Sequence, residues 1–240
     1  MRIGVALGSG AARGLAHIPY IEALDELGLT PSIIAGSSIG ALIGSGWANG
    51  MSGAELRDHA LSVLGSLQQI AAMPGLKAMA PRLAFNAMIS HEDNTLSFVG
   101  EGVAPDAERV LSRAMIISAG APLSAAQEDG IILGRGLAEN LGVGVGDRVV
   151  LMANTPTGGI NAVEASVTGL FSTVSKAYDD SAARLPLALA QKLLKVSGVH
   201  RWILVLDDTD NTSRVTAALR QTYADSGLAF VPWYEMADFY

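Results

Sequence analysis

Cysteine is absent from this chain, which excludes disulfide frameworks, thiolate metal sites and a Cys nucleophile, and leaves the redox compartment open. Aromatic residues are scarce at 5%, and charged residues make up only 16%. The 16 basic residues are outnumbered by 23 acidic ones, for a net charge of −7. No Lys/Arg cluster is present to track a phosphate backbone, so nucleic acid is not an expected partner. Long hydrophobic runs are missing too. The most apolar window, Ile33 to Trp47, is interrupted by Gly36, Gly40, Gly44 and Gly46, short of the roughly 20 apolar residues a spanning helix requires. No transmembrane segment is expected. The start, "MRIGVALGSG", turns glycine-rich too early for a signal peptide and reads as a cytoplasmic beginning. His17, His59, His91 and His200 form no i, i+4 pair and have no carboxylate at ligand spacing. No metal site and no cofactor are expected.

What remains is a chain of 240 residues, half of them apolar, enough to bury a core in one domain or in two smaller ones. The first sixty residues read as a βαβα unit. "RIGVAL" is a short strand that feeds the glycine-rich "GSGAARG". A helix follows, with Leu15, Ile18, Ile21, Leu24 and Leu27 at spacing three and Gly28 as a left-handed stop. Pro19 kinks or restarts it. "PSIIAG" is the second strand, "SIGALIGSGWANG" the second helix, and a third helix opens at Ser52 with Glu55 at capping-box spacing.

The texture changes after about residue 66. Short strands then alternate with turn signals: "LAFNAMIS", "NTLSFVGEGV", "AMIISAG", "GIILG", "DRVVLMAN", "NAVEASVTGLFS" and "RWILVLDD". "GRGLAENLG", "PLALAQKLLKVSG" and "TSRVTAALRQTYADSG" read as helices, each closed by Gly. The expected architecture is therefore an α/β unit over 1–70, a junction over 71–80, and an α+β domain with a mixed or antiparallel sheet over 81–240. The acidic run at 207–210 reads as a solvated turn and helix cap.

Two stretches of the first unit carry chemistry. In "IIAGSSIGAL", Ser38 is flanked by Gly36 and Gly40, the pattern of a sharp strand-to-helix elbow that holds a serine hydroxyl at a helix N-terminus. The plain alternative is a Ser N-cap. "GSGAARG" follows the first strand, where successive backbone N–H groups can cradle an oxyanion. A dinucleotide fingerprint fails there, because position 13 is Arg.

Taken together, "VALGSGAARGLAHIPYIEALDELGLTPSIIAGSSIGALIGSGWANGMSGAEL" resembles the patatin-like phospholipase family in order and spacing. That resemblance implies a Ser–Asp dyad acting on lipid or other acyl esters, with Ser38 as nucleophile. It also implies an oxyanion hole around Gly8, Gly10, Ala11 and Arg13. Ser9 and Ala11 stand where the family usually has glycine. The family's base is an Asp in a downstream D-G turn. Asp129-Gly130 is the only D-G pair, which makes Asp129 the candidate base. If "GRGLAENL" is laid on the family's "DGGLxENL", however, the carboxylate position falls on Gly134.

From about residue 80 onward, "GIILGRGLAENLGVGVGDRVVLMANTPTGGINAVEASVTGLF" and "RLPLALAQKLLKVSGVHRWILVLDDT" resemble the periplasmic core domain of MacB/LolE/FtsX-type ABC-transporter permeases. This implies an extracytoplasmic domain that binds a periplasmic protein or lipoprotein and does not transport without membrane helices and an ATPase. The chain is thus expected to be a composite: the nucleophile half of a patatin-like hydrolase, weakly active or inactive for lack of its Asp, joined to a permease-type interaction domain.

Overall fold

A computed structural model of the chain describes residues 3–8, 11–37, 39–111, 115–156, 158–224 and 226–236, with backbone alone at 11–13, 63, 109 and 110. The chain divides into two compact units, Met1–Met79 with Leu204–Tyr240, and Ala80–Ile203. The last stretch, grouped by sequence texture with the second part, thus clusters with the first.

In the first unit, β1 (Gly4–Leu7) pairs in parallel with β2 (Ile33–Gly36). The crossover between them begins as a 3₁₀ turn over Ala11–Ala16 and becomes α-helical only at α1 (His17–Glu26). Pro19 therefore falls in the first turn of α1, where its missing N–H costs no intrahelical bond. Gly28 takes a positive φ of 64° and ends this helix by donating its N–H to the Asp25 carbonyl. α2 (Ile39–Ala48) follows β2, and α3 (Gly53–Ala71) begins at the expected capping box. The Glu55 N–H donates to Ser52 Oγ at 3.2 Å, and the Ser52 N–H returns to Glu55 Oε2 at 2.8 Å. Val5, Leu7, Ile18, Ile21, Ile43, Trp47 and Leu56 form the core of this unit. Later in the chain, α8 (Thr212–Thr222) and the short α9 (Trp233–Met236) belong to the same unit.

The second unit is built on β3 (Leu76–His91), β4 (Asn94–Val103), β5 (Ile116–Gly120), β6 (Gly130–Gly134), β7 (Arg148–Asn154), β8 (Ile160–Ser172), β9 (Ala182–Pro186) and β10 (Arg201–Leu206). The unit boundaries fall inside β3 and β10. The sheet is mixed: β4 runs parallel to β9 and β6 parallel to β8, while the β3–β4, β3–β7, β7–β8, β5–β8 and β6–β9 pairs are antiparallel. Pairing continues β3-β4-β9-β6-β8-β7 and returns to β3, so six of the strands close a ring.

Alternation along these strands sends one set of side chains to a common core. Leu83, Ile89, Phe98, Ile131, Leu133, Leu151, Ala165 and Leu185 are all buried there. Two helices complete the core, α5 (Arg135–Leu141) with Leu137 and Leu141, and α7 (Leu187–Leu194) with Leu189 and Leu193. A smaller cluster of Ile132, Phe171 and Ala182 packs with Ile117 of β5 and with Tyr178 of α6 (Lys176–Asp179). α4 (Pro105–Leu111) follows β4.

The expected strands all form, and the α+β reading of this half holds. β9 carries no strand signal in the sequence, because "AARLP" contains no β-branched or aromatic residue and ends in Pro186. The long β3 was also underestimated, since it begins at Leu76 within the stretch read as a junction. Neither α7 nor α8 ends at a glycine; Tyr223 caps α8 ahead of Gly227. In α7, Lys195 adopts the left-handed cap with φ 53°, and Gly198 comes later.

Candidate functional site

The strand-to-helix turn in the first unit is tight enough to require its glycines. An added Cβ on Gly36 would lie 2.5 Å from the Gly40 carbonyl oxygen and 2.6 Å from the Ala41 nitrogen. One on Gly40 would lie 2.3 Å from the Leu7 carbonyl oxygen. Both contacts are with backbone, which has no rotamer by which to retreat, so neither position accepts a side chain. The turn is tied to β1 by the Ser37 N–H, which donates to the Leu7 carbonyl at 3.1 Å. α2 then starts at Ile39.

Ser38, the candidate nucleophile, and Gly10 lie outside the described residues, as does the side chain of Arg13. The backbone of Ala11 and Arg13 lies in the 3₁₀ turn that follows β1. Gly8 has nothing within 4 Å of a hypothetical Cβ, so packing does not demand glycine there. Its carbonyl oxygen lies 2.8 Å from His17 Nε2. A carbonyl can only accept, so Nε2 carries the proton and is not a base in this arrangement.

Asp129 belongs to the second unit, just before β6. Its Oδ2 accepts from the Ser166 hydroxyl at 2.9 Å, and its carbonyl accepts from the Ser166 N–H at 2.9 Å. These two hydrogen bonds to Ser166 of β8 pin the entry of β6. Gly134, where the hydrolase pattern requires its carboxylate, is the N-cap of α5 and is buried against the backbone of α6. A Cβ there would lie 2.2 Å from the Asp179 carbonyl oxygen. On Gly136, the second glycine of "GRG", a Cβ would lie 1.9 Å from Asp180 Oδ1. At Gly134 the α6 backbone leaves no room for the acid the hydrolase pattern needs, whereas at Gly136 the neighbour is the movable end of the Asp180 side chain.

A charge network that sequence reasoning missed lies in the second unit. Arg82 of β3, only 3% exposed, pairs with Glu108 of α4 and lies 3.5 Å from Glu101 of β4. Arg184 of β9 reaches Glu101 and Glu108, each at 3.2 Å. Arg201 of β10 lies 4.0 Å from Glu101 and is 54% exposed. Burial works against the Arg184 charge, but Tyr178, Glu101 and Glu108 more than offset it and raise its pKa above the ordinary value. The available signal was an isolated charge within otherwise apolar strands, as in "GEGV" and "ARLP". Among the described residues no group of three or more His, Asp or Glu is placed to hold a metal ion. None of the described helices is long and apolar enough to cross a membrane.

Comparison with known proteins gives one long match and several short ones. A family model described as the MacB-like periplasmic core domain matches residues 25–222, starting well before residue 81. The fold is similar to the periplasmic region of MacB from Actinobacillus actinomycetemcomitans, with TM-score 0.51 and 10% identity over 70% of this chain and 75% of that one. It is also similar to the extracellular domain of the noncanonic ABC-type transporter YknZ from Gram-positive bacteria. There the TM-score is 0.50 with 10% identity, over 67% of this chain and 83% of that one. A short segment is similar to lysophospholipase nte1 of Emericella nidulans, 50% identical over 46 residues, or 19% of this chain. Neuropathy target esterase sws of Drosophila melanogaster is 47% identical over 47 residues. The chain spans only 3% of the length of each of these two relatives.

Proposed function

We propose, from the premise that the chain belongs to the MacB-like periplasmic core domain family, that it works as a non-catalytic, extracytoplasmic protein-binding domain of the permease type. The observation that carries this reading is the completed core of the second unit. Six strands close on themselves around one apolar interior, plugged by α5 and α7, so this part is a finished scaffold that can present a surface to a partner. Periplasmic proteins or lipoproteins are the expected class of partner. The two positions from which an acid would serve the hydrolase pattern favour a structural role: Asp129 is engaged by Ser166, and Gly134 is required by packing.

Photocrosslinking tests the binding reading. A photoreactive residue placed in turn at exposed positions such as Ile116 and Ile160, 69% and 77% exposed, should give a discrete protein adduct in the exported protein. No protein adduct from any exposed position of the second unit would contradict it.

A second reading has its own support. The steric demand at Gly36 and Gly40 and the 46-residue likeness to a lysophospholipase both favour an esterase elbow. In that reading the Ser38 hydroxyl attacks an acyl carbonyl, amides near Gly10 and Ala11 hold the oxyanion, and an Asp takes the proton. Turnover of a lysophospholipid that disappears in Ser38→Ala would favour it over the first.

A further inference from the structure

The ring of strands closes at its β3–β7 seam over three residue pairs only, Met88 with Met152, Ile89 with Leu151 and Ser90 with Val150. Toward Asn86 on β3 and Asn154 on β7 the two strands separate. The wedge between them is a cavity of about 300 Å³, lined by Asn86, Ala87, Met88, Met152, Asn154 and Ile160. Met88 and Ile160 are 48% and 77% exposed.

The same edge of β3 is used elsewhere. The Arg82 carbonyl accepts from the His200 N–H at 3.0 Å, where the chain enters β10. Residues two apart along a strand direct their backbone groups to the same side. The N–H and C=O groups of Ala84 and Asn86 therefore point to this edge, between the end of the β10 pairing at Arg82 and the start of the β7 pairing at Met88. Among the described residues no strand pairs with β3 on that side from Leu83 to Ala87. Five residues is the length of an ordinary strand, and an unpaired edge is a template for one.

Charge marks one end of this opening. Among the described residues, Arg82, Arg184 and Arg201 all lie within reach of Glu101 or Glu108. Arg201, the most exposed of the three, stands beside His200 at the Arg82 end.

We infer that this unzipped seam docks an extended segment of a protein partner, which adds as a short strand antiparallel to β3 and carries an acidic residue at its C-terminal end. The inference rests on the protein-binding reading above and gives it a place. Main-chain bonds to Ala84 and Asn86 supply affinity. An apolar side chain in the wedge meets Met88, Met152 and Ile160, and the terminal carboxylate meets the exposed guanidinium of Arg201. β10 and β7 already run antiparallel to β3 on this edge, so such a strand continues the existing ladder.

The probe is a pool of fluorescein-labelled seven-residue peptides alternating Val or Ile with Thr or Ser and ending in Asp or Glu, titrated against the full chain by anisotropy. Amide hydrogen exchange is read at residues 84 and 86. Saturable binding is expected, with exchange at both amides slowed at least tenfold. Methylation of the peptide's pairing amides, or Asn86→Pro, should weaken binding by roughly tenfold. A C-terminal Lys should weaken it as well. Should Asn86→Pro fail to fold, Ile160→Asp on the exposed rim is expected to reduce binding in the same direction. Binding that leaves exchange at 84 and 86 unchanged, or no binding by any peptide, overturns the seam. Crosslinks formed elsewhere on the second unit would then keep the protein-binding reading, while the absence of all crosslinks would remove both.

Discussion

Gly134→Ala isolates a purely steric effect. The backbone at 134 has φ −59° and ψ 140°, values any L-residue adopts, so no conformational penalty accompanies the substitution. The added methyl would sit 2.2 Å from the Asp179 carbonyl oxygen, 2.8 Å from its carbon and 2.9 Å from its Cα, where about 3.5–4.0 Å is comfortable. Asp179 is not free to yield. It is buried, and its carboxylate accepts from the Thr173 N–H at 2.9 and 3.0 Å and from the Thr173 hydroxyl at 2.9 Å. Overpacking against a fixed backbone belongs at the upper end of the usual range, about 3 kcal/mol. For a unit of this size, at roughly 4 °C per kcal/mol, the midpoint of thermal unfolding should fall by about 12 °C. Circular dichroism melting reads this directly. Gly198→Ala serves as control, since nothing lies within 4 Å of its Cβ position. A fall in Tm of less than about 2 °C for Gly134→Ala would refute the packing account. The same clash predicts that Gly134→Asp, which restores the hydrolase family's acid in sequence, yields a destabilised protein without Ser38-dependent esterase activity.

Further outcomes follow from other contacts. Glu108→Gln takes one carboxylate charge from between Arg82 and Arg184, and urea denaturation should show a loss of about 3–5 kcal/mol, the cost of breaking a buried pair from one side. Gly65→Ala, inside α3 with nothing within 4 Å of its Cβ position, should stabilise the first unit by about 0.5–1 kcal/mol in the same assay. The capping box holds the Glu55 carboxyl below its ordinary value, chiefly through the Ser52 backbone N–H and then through the Ser52 hydroxyl. A lowered folded-state pKa adds stability above the unfolded value, and that stability is lost as pH falls through the folded one. The stability difference between wild type and Glu55→Gln should therefore shrink as the pH falls through the folded-state value.

The legible parts of this fold were those with a local cause. Ser52 and Glu55 announce a helix start because their bonds are three residues apart. Gly28 and Gly142 announce helix ends because few other residues accept their positive φ. Alternation placed Leu83, Ile89 and Leu151 in a core without indicating that the strands bearing them close into a ring. That closure depends on the three β3–β7 pairs, which join residues some sixty positions apart. The elbow glycines were legible as a motif, and their packing explains them. The D-G turn at Asp129 was legible too, but its partner Ser166 lies 37 residues later in the chain, so only the fold reveals what the carboxylate does. The Arg82–Glu101–Glu108–Arg184 network escaped for the same reason. Each member is a single charge in its own segment, and the four meet only when β3, β4, β9 and α4 come together.

Intact-mass measurement after incubation with a fluorophosphonate probe most directly tests the proposal that this chain binds a protein partner and is non-catalytic, because a serine activated by a base forms a stable covalent adduct. The account predicts the same unmodified mass for the wild type and for Ser38→Ala. A stoichiometric adduct on the wild type that Ser38→Ala abolishes would contradict it.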